Sequence, residues 1–285
     1  MKIAKIGKIG GGQDGAIYGS ELFRFDSRGN CAVYGLTALA DESEELTPFA
    51  HFKLDRTEAL VPHSNAVCFG CEFYEEGDRY PLLYTNIYNN YAAEKRMIGV
   101  CLAYRIRRTE EGFASKLVQR IEIGFSEDAT LWKAYPDRHG VRPYGNFIID
   151  PDRRALWAFV MRSEESGTRY FRFDLPPVRE GETDRFLGMK KRTLQPTDIR
   201  EFFDGAYCRF LQGATVYEGV LYSTEGFCAD RINRPAIRRI DLAARREDYF
   251  DITEHGMDDE PEFMDFYNGK CLYSDISGNL FSVTF

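Results

Sequence analysis

No hydrophobic run in these 285 residues approaches the about 18 that a membrane-spanning helix needs. The lysine-bearing start also lacks the apolar core and small-residue cleavage site of a secretion signal. A membrane partner is therefore not expected. The chain is short of positive charge as well, with a formal net charge of −8. Nucleic-acid binders present a basic field to the phosphate backbone, so that class is disfavoured. The local basic runs Lys190–Arg192, Arg238–Arg239 and Arg245–Arg246 stand among acids and read as solvated faces. Seven cysteines, an odd number scattered over a long chain, fit a reducing cytoplasm better than a disulfide framework.

Helical patterning is missing too. No amphipathic segment of about 12 residues or more emerges, which disfavours α/β architectures. Signature motifs of the G-x-S-x-G, H-E-x-x-H and P-loop types are absent. The single C-x-x-C, Cys68–Cys71, has no second pair with which to hold zinc. In a strand its two thiols would point to opposite faces, as small buried hydrophobes.

What is present is aromatic and repetitive. The 17 Tyr and 22 Phe favour pleated sheet, where rings pack well. Five stretches share one layout of polar opening, short apolar strand, turn, and two further strands: Gln13–Leu36, His63–Ile106, Tyr144–Leu175, Leu211–Leu242 and Pro261–Phe285. After each of the first four comes another strand-like piece: "TPFAHFKL", "SKLVQRIEI", "KRTLQPTDIREFF" and "EDYFDITE". The fifth unit runs out of chain after three strands, and "KIAKIGKIG" has the length to be its fourth. The reading is all-β: a single five-bladed β-propeller domain over residues 1–285, its ring closed by the N-terminal strand. The blades fall at about 13–54, 63–123, 144–203, 211–253, and 261–285 plus 2–9. A closed ring leaves no inner edge in need of a partner, so a monomer is expected.

Gly10, Gly12 and Gly15 match the dinucleotide fingerprint G-x-G-x-x-G. That motif needs a helix behind it to face the pyrophosphate. Here "AIYGSELFRF" follows and reads as a hairpin, so the glycines are taken as a tight crossing from an outer strand to the next blade's axis. No cofactor is expected.

A propeller's inner strands line a channel, and the residues that open each blade surround its mouth. The expected ligand-binding set is therefore Gln13, Asp14, His63, Asn65, Tyr144, Asn146, Gln212 and Glu262. The alternative is that these groups simply satisfy backbone and water around a narrow axis. General acid or base chemistry there could come from Asp14, Glu260, Glu262, Asp265 or His63. An axial Ca²⁺ on Asp14, Asn65, Asn146 and Glu262 would be oxygen-rich, but no D-x-D-x-D-G loop accompanies it, and no metal is expected.

Three long insertions, Asn86–Met97, Gly124–Pro143 and Thr224–Pro235, are candidate covers for the mouth. Tyr88, Asn89, Asn90 and Tyr91 in the first, and Trp132, Tyr135 and His139 in the second, are of the types that stack on sugars or bond their hydroxyls. They equally suit packing of loops onto blades.

At "QDGAIYGSELFRF", "HSNAVCFGCEF", "YPLLYTN", "KLVQRIEI", "LQGATVYEGVLY" and "EPEFMDFYNGKCLY" the chain resembles a group of uncharacterised five-bladed β-propeller proteins of gut anaerobic bacteria. Asp14 and Phe263 depart from that group's pattern, which tends to glycine at both places. The resemblance implies the fold and no activity. Function is read as a non-catalytic module for a small polar, carbohydrate-like ligand. A glycoside hydrolase-like enzyme using paired carboxylates at the same mouth, and a protein–protein interaction scaffold, are the alternatives.

Overall fold

The computed structural model describes residues 1–40, 45–87, 99–123, 146–228 and 232–285. The chain is a five-bladed β-propeller. It begins with β1 (Lys2–Lys8), then builds blade 1 from β2 (Gly15–Tyr18), β3 (Glu21–Phe25), β4 (Asn30–Gly35) and β5 (Ala50–Lys53). Blade 2 holds β6 (Val67–Phe69), β7 (Leu83–Ile87), β8 (Val100–Thr109) and β9 (Gly112–Ile123). Blade 3 starts with β10 (Phe147–Asp150), β11 (Ala155–Ser163) and β12 (Gly167–Asp174). After β13 (Glu182–Thr183) and β14 (Lys190–Leu194), β15 (Ile199–Gly205) completes that blade. Blade 4 is β16 (Leu211–Tyr217), β17 (Val220–Glu225), β18 (Ala236–Asp241) and β19 (Arg246–Asp251). Blade 5 is β20 (Pro261–Tyr267), β21 (Lys270–Asp275) and β22 (Asn279–Thr284), with β1 as its outer strand.

The ring closes where the terminal pattern pointed. β1 lies antiparallel to β22, from Lys2 opposite Thr284 to Lys8 opposite Asn279, with a bulge between Lys5 and Gly7. The inner strands β2, β6, β10, β16 and β20 contact one another in that order, and β20 returns to β2. Gly15 opens β2 and not a helix, so the dinucleotide reading fails on geometry. The crossing before it is tight: a Cβ at Gly11 would lie 2.5 Å from the Ile276 carbonyl, and one at Gly12 2.6 Å from that of Phe25. Only glycine lets the backbones approach that closely. Among the described residues no helix is long and apolar enough to cross a membrane.

"KRTLQPTDIREFF" is not one outer strand of blade 3. Its first part, β14, pairs in parallel with β9 of blade 2, from Lys190 opposite Gln119 to Leu194 opposite Ile123. Only β15 returns to β12. Pro196 supplies no N–H to a ladder, and a 3₁₀ turn over Pro196–Asp198 breaks the strand there. The long outer edge of β9 gains a partner in β14, which removes an open row of backbone donors and acceptors. Gln119 ties the connecting segment down through Nε2 to the Pro177 and Glu180 carbonyls, at 2.9 and 3.2 Å.

The apolar core sits between blades rather than in one centre. Blades 1 and 2 share one cluster, blades 5 and 1 a second, blades 4 and 5 a third, and blades 2, 3 and 4 the largest. Middle strands are therefore buried on both faces, as β3 and β7 are throughout. Cys68 lies in the largest cluster, and Cys71, beyond the end of β6, packs partly buried against the same cluster. Strand alternation stops at Phe69, so the expected divergence of the two thiols does not apply. Both are free.

Candidate functional site

The five inner strands run in the same sense, so their first residues meet at one face, together with the ends of the second strands β3, β7, β17 and β21. There the blade-opening side chains clasp one another around the axis. Gln13 Nε2 donates to Glu262 Oε1 at 2.8 Å, joining blade 1 to blade 5. The Asp14 N–H donates to the Ser64 carbonyl at 3.0 Å, and Asp14 Oδ2 accepts from the Val67 N–H at 2.8 Å, joining blade 1 to blade 2. Asn86 Nδ2 donates to Asn65 Oδ1 and to Asn146 Oδ1, both at 2.7 Å. Asn146 Nδ2 in turn faces the Asn65, Leu211 and Gln212 carbonyls at 3.3, 3.0 and 2.9 Å, reaching blade 4. Gln212 Nε2 donates to Glu260 Oε1 at 2.6 Å, which returns the circuit to blade 5.

This girdle is mostly out of reach of water. Asp14 and Glu262 are fully buried, with Asn65, Asn86, Asn146 and Gln212 nearly so, whereas Gln13, His63 and Glu260 are part-exposed. Gly213 lets the circle stay narrow, since a Cβ there would lie 2.6 Å from the Glu262 carbonyl oxygen and 2.8 Å from Asp14 Oδ1. Such burial needs partners for every polar atom, yet among the described residues Asp14 Oδ1, Asn86 Oδ1 and Glu262 Oε2 lack one.

The expected residues thus divide. Gln13, Asp14, Asn65, Asn146, Gln212, Glu260 and Glu262 come together in the girdle. His63 stands at its rim, its main-chain N–H donating to the Asn86 carbonyl at 3.2 Å. Asp265 does not share the mouth. Its carboxyl accepts from the Ile17 N–H at 2.7 Å, the Phe266 N–H at 2.8 Å and Thr215 Oγ1 at 3.1 Å, and braces blade 5 against blades 1 and 4. Tyr144 lies outside the described residues, as do Tyr88, Asn89, Asn90, Tyr91, Trp132, Tyr135 and His139.

Burial dominates the electrostatics. Desolvation pushes the Asp14 and Glu262 carboxyls well above the usual range, with the Arg24 guanidinium pulling both back. Glu260 is raised by the same cause, and Asp265 is raised to about 6. Burial lowers His63, favouring its neutral form. At the mouth, burial thus favours the neutral carboxyl forms, alongside amides that both donate and accept.

Two members of this neighbourhood escaped the repeat pattern. Asn86 is the hub between blades 2 and 3, and Arg24 is a buried guanidinium beside Asp14 and Glu262. Both sit on second strands rather than at blade openings. A signal existed in each case, a polar side chain inside an otherwise apolar run: "LLYTNI" and "ELFRF".

No protein-family model matches the chain, and no curated protein matches it in sequence. Solved structures do resemble it. Glutaminyl cyclase of Myxococcus xanthus superposes with a TM-score of 0.51 at 10% identity, covering 100% of this chain and 94% of its own. BamB of Moraxella catarrhalis reaches 0.35 at 6% identity, covering 95% of this chain and 60% of its own. Apo AztD of Citrobacter koseri reaches 0.32 at 11% identity, covering 84% and 47%. At these identities the likeness is one of fold, and the first of the three supports the five-bladed propeller.

Proposed function

We propose that the protein is a non-catalytic module that binds a small polar, carbohydrate-like ligand at the axial mouth, over Gln13, His63 and Glu260. One observation carries this reading: the part-exposed Gln13, His63 and Glu260 stand around the girdle's accessible rim. A ligand rich in hydroxyl groups can both donate to and accept from such side chains, and the axial face of a propeller is the default place for it. The test is thermal unfolding of the whole chain against a panel of monosaccharides, disaccharides and polyols. A binder raises the melting temperature by mass action. Gln13→Ala and Glu260→Ala, on the part-exposed rim, should weaken any such response; an unmoved melting temperature across the panel sinks the reading.

The raised carboxyls favour a second reading, hydrolysis of a glycoside by paired carboxylates, because an acid catalyst must hold its proton at working pH. Chromogenic glycosides test it, with Glu262→Gln and Glu260→Gln as controls. The fold neighbour's name adds a glutaminyl cyclase assay to that series. The same proposal extends to the surroundings: a cytoplasmic monomer related to the propellers of gut anaerobic bacteria, partnered by neither nucleic acid nor membrane. Analytical ultracentrifugation checks the assembly state.

A further inference from the structure

The glycine-rich crossing borders a concavity on blade 1, beside its seam with blade 5. It encloses about 480 Å³ and is lined by Gly11, Arg24, Tyr34, His51 and Lys53, among others. Sheet register explains its chemistry. Arg24 stands opposite Ala32, and Ala32 opposite His51, so the three side chains share one face of blade 1. Asn30 and Lys53 pair two residues further along, on that same face. Ala32 is the small member of its rung, and it leaves the space between guanidinium and imidazole unfilled.

Arg24 is the unusual group. It is 2% exposed, yet among the described residues its hydrogen bonds come from Nη2 alone, which donates to the Gly12 and Asp275 carbonyls at 2.9 and 3.2 Å. Nε and Nη1 have no hydrogen-bond partner. A guanidinium carries five N–H donors in a planar fork that suits an oxyanion, and a buried one left unmatched is costly. The Tyr34 hydroxyl accepts from the Gly10 N–H at 2.8 Å, which leaves its own proton to donate. Lys53 is exposed at the outer lip.

Acids stand nearby, and each already has partners: Asp275, which acts on the guanidinium, accepts from the Asn279 N–H and Nδ2 at 2.9 and 2.8 Å. Asp26 lines the cleft, and its carboxylate accepts from the Arg28 and Asn30 N–H groups and from Asn30 Nδ2, at 2.8, 2.9 and 2.6 Å. Asp14 and Glu262 lie on the axial side of the guanidinium, where burial favours their neutral forms.

We propose that this cleft is an anion site, separate from the axial mouth, in which Arg24, Tyr34 and Lys53 hold one compact oxyanion, a phosphate or a carboxylate group. The experiment is calorimetric titration of the whole chain with inorganic phosphate and, separately, with acetate, each against a chloride control. Saturable one-to-one binding of either anion is expected, and which of them binds names the class. Lys53→Ala should weaken that binding about 2- to 5-fold, as an exposed charge does. Ala32→Leu, which fills the cleft, should abolish it, and Arg24→Gln should cost about 10-fold or more. Arg24→Gln can fail to fold, so melting curves accompany every variant and Lys53→Ala carries the test alone if needed. Heat no greater than the chloride control for both anions, or affinity unchanged in Lys53→Ala and Ala32→Leu, overturns the proposal.

Discussion

The two faces of blade 1 are built from alternate residues of the same strands, and they differ in kind. Toward blade 2, Phe23 packs among Phe52, Phe69, Tyr80 and Phe113, with ring centroids 5.2 to 6.3 Å away. Glu21, on the same side, accepts from the Tyr80 hydroxyl at 2.5 Å and pairs with Arg79 and Arg108 at 3.2 and 2.9 Å. Toward blade 5 the same β3 strand presents Leu22 and Arg24, and Arg24 lies over the Phe263 ring at 5.6 Å with donors to spare. One seam is filled with aromatic area and satisfied charge. The other packs a smaller apolar cluster that includes Leu22, Phe263, Leu272 and Leu280, with close main-chain approach at the glycines and an under-partnered Arg24. Both seams are closed by apolar contact, but the blade 1 face beside Arg24 keeps a concavity, and that is where room for a ligand remains.

The contrast can be broken most severely at Phe23. Phe23→Ala should cost about 3–5 kcal/mol, read by denaturant unfolding, because the fully buried ring leaves a cavity among four aromatic neighbours. A loss well under 1 kcal/mol would mean that this seam is not the stronger one. Next comes the girdle. Asn146→Ala removes the amide that links blades 2, 3 and 4 and should cost about 1–3 kcal/mol. A neutral result would mean that the circuit is ornamental to folding.

A third effect depends on pH. Glu262 has a folded-state pKa above its unfolded one, so its charged form opposes folding. Stability is greatest below the ordinary glutamate range and falls as pH rises from there through the folded value. Glu262→Gln should therefore raise the melting temperature at pH 8 by a few degrees and leave it unchanged at pH 4. An equal change at both pH values would refute the ionisation argument. The smallest effect is expected at Lys53→Ala, within about 0.5 kcal/mol of the parent. An exposed lysine at the lip of the cleft is expected to contribute to binding and not to folding; a large destabilisation would show that the cleft is part of the scaffold.

Much of this architecture could be read before any coordinates. Aromatic enrichment, the repeated strand–turn–strand layout and an incomplete fifth unit carried the propeller and its closure by β1. Polar residues at each blade opening marked the axis. β14 was misjudged because "KRTL" is a sound strand wherever it lies, and local propensity does not say which edge it will meet. Asn86 and Arg24 were overlooked because the repeat directs attention to first strands, whereas the axis also receives the ends of second strands.

Strand content, blade number and the pairing of the two termini are properties of local periodicity and of counting, which a linear string preserves. Whether the polar openings face a ligand or each other is decided by distances between groups as remote in sequence as Gln13 and Glu262, which only ring closure brings to 2.8 Å. The open cleft beside Arg24 belongs to the same category. It depends on how the crossing at Gly11 meets β3, β4 and β5 in three dimensions, and on a guanidinium left with more donors than its neighbours accept.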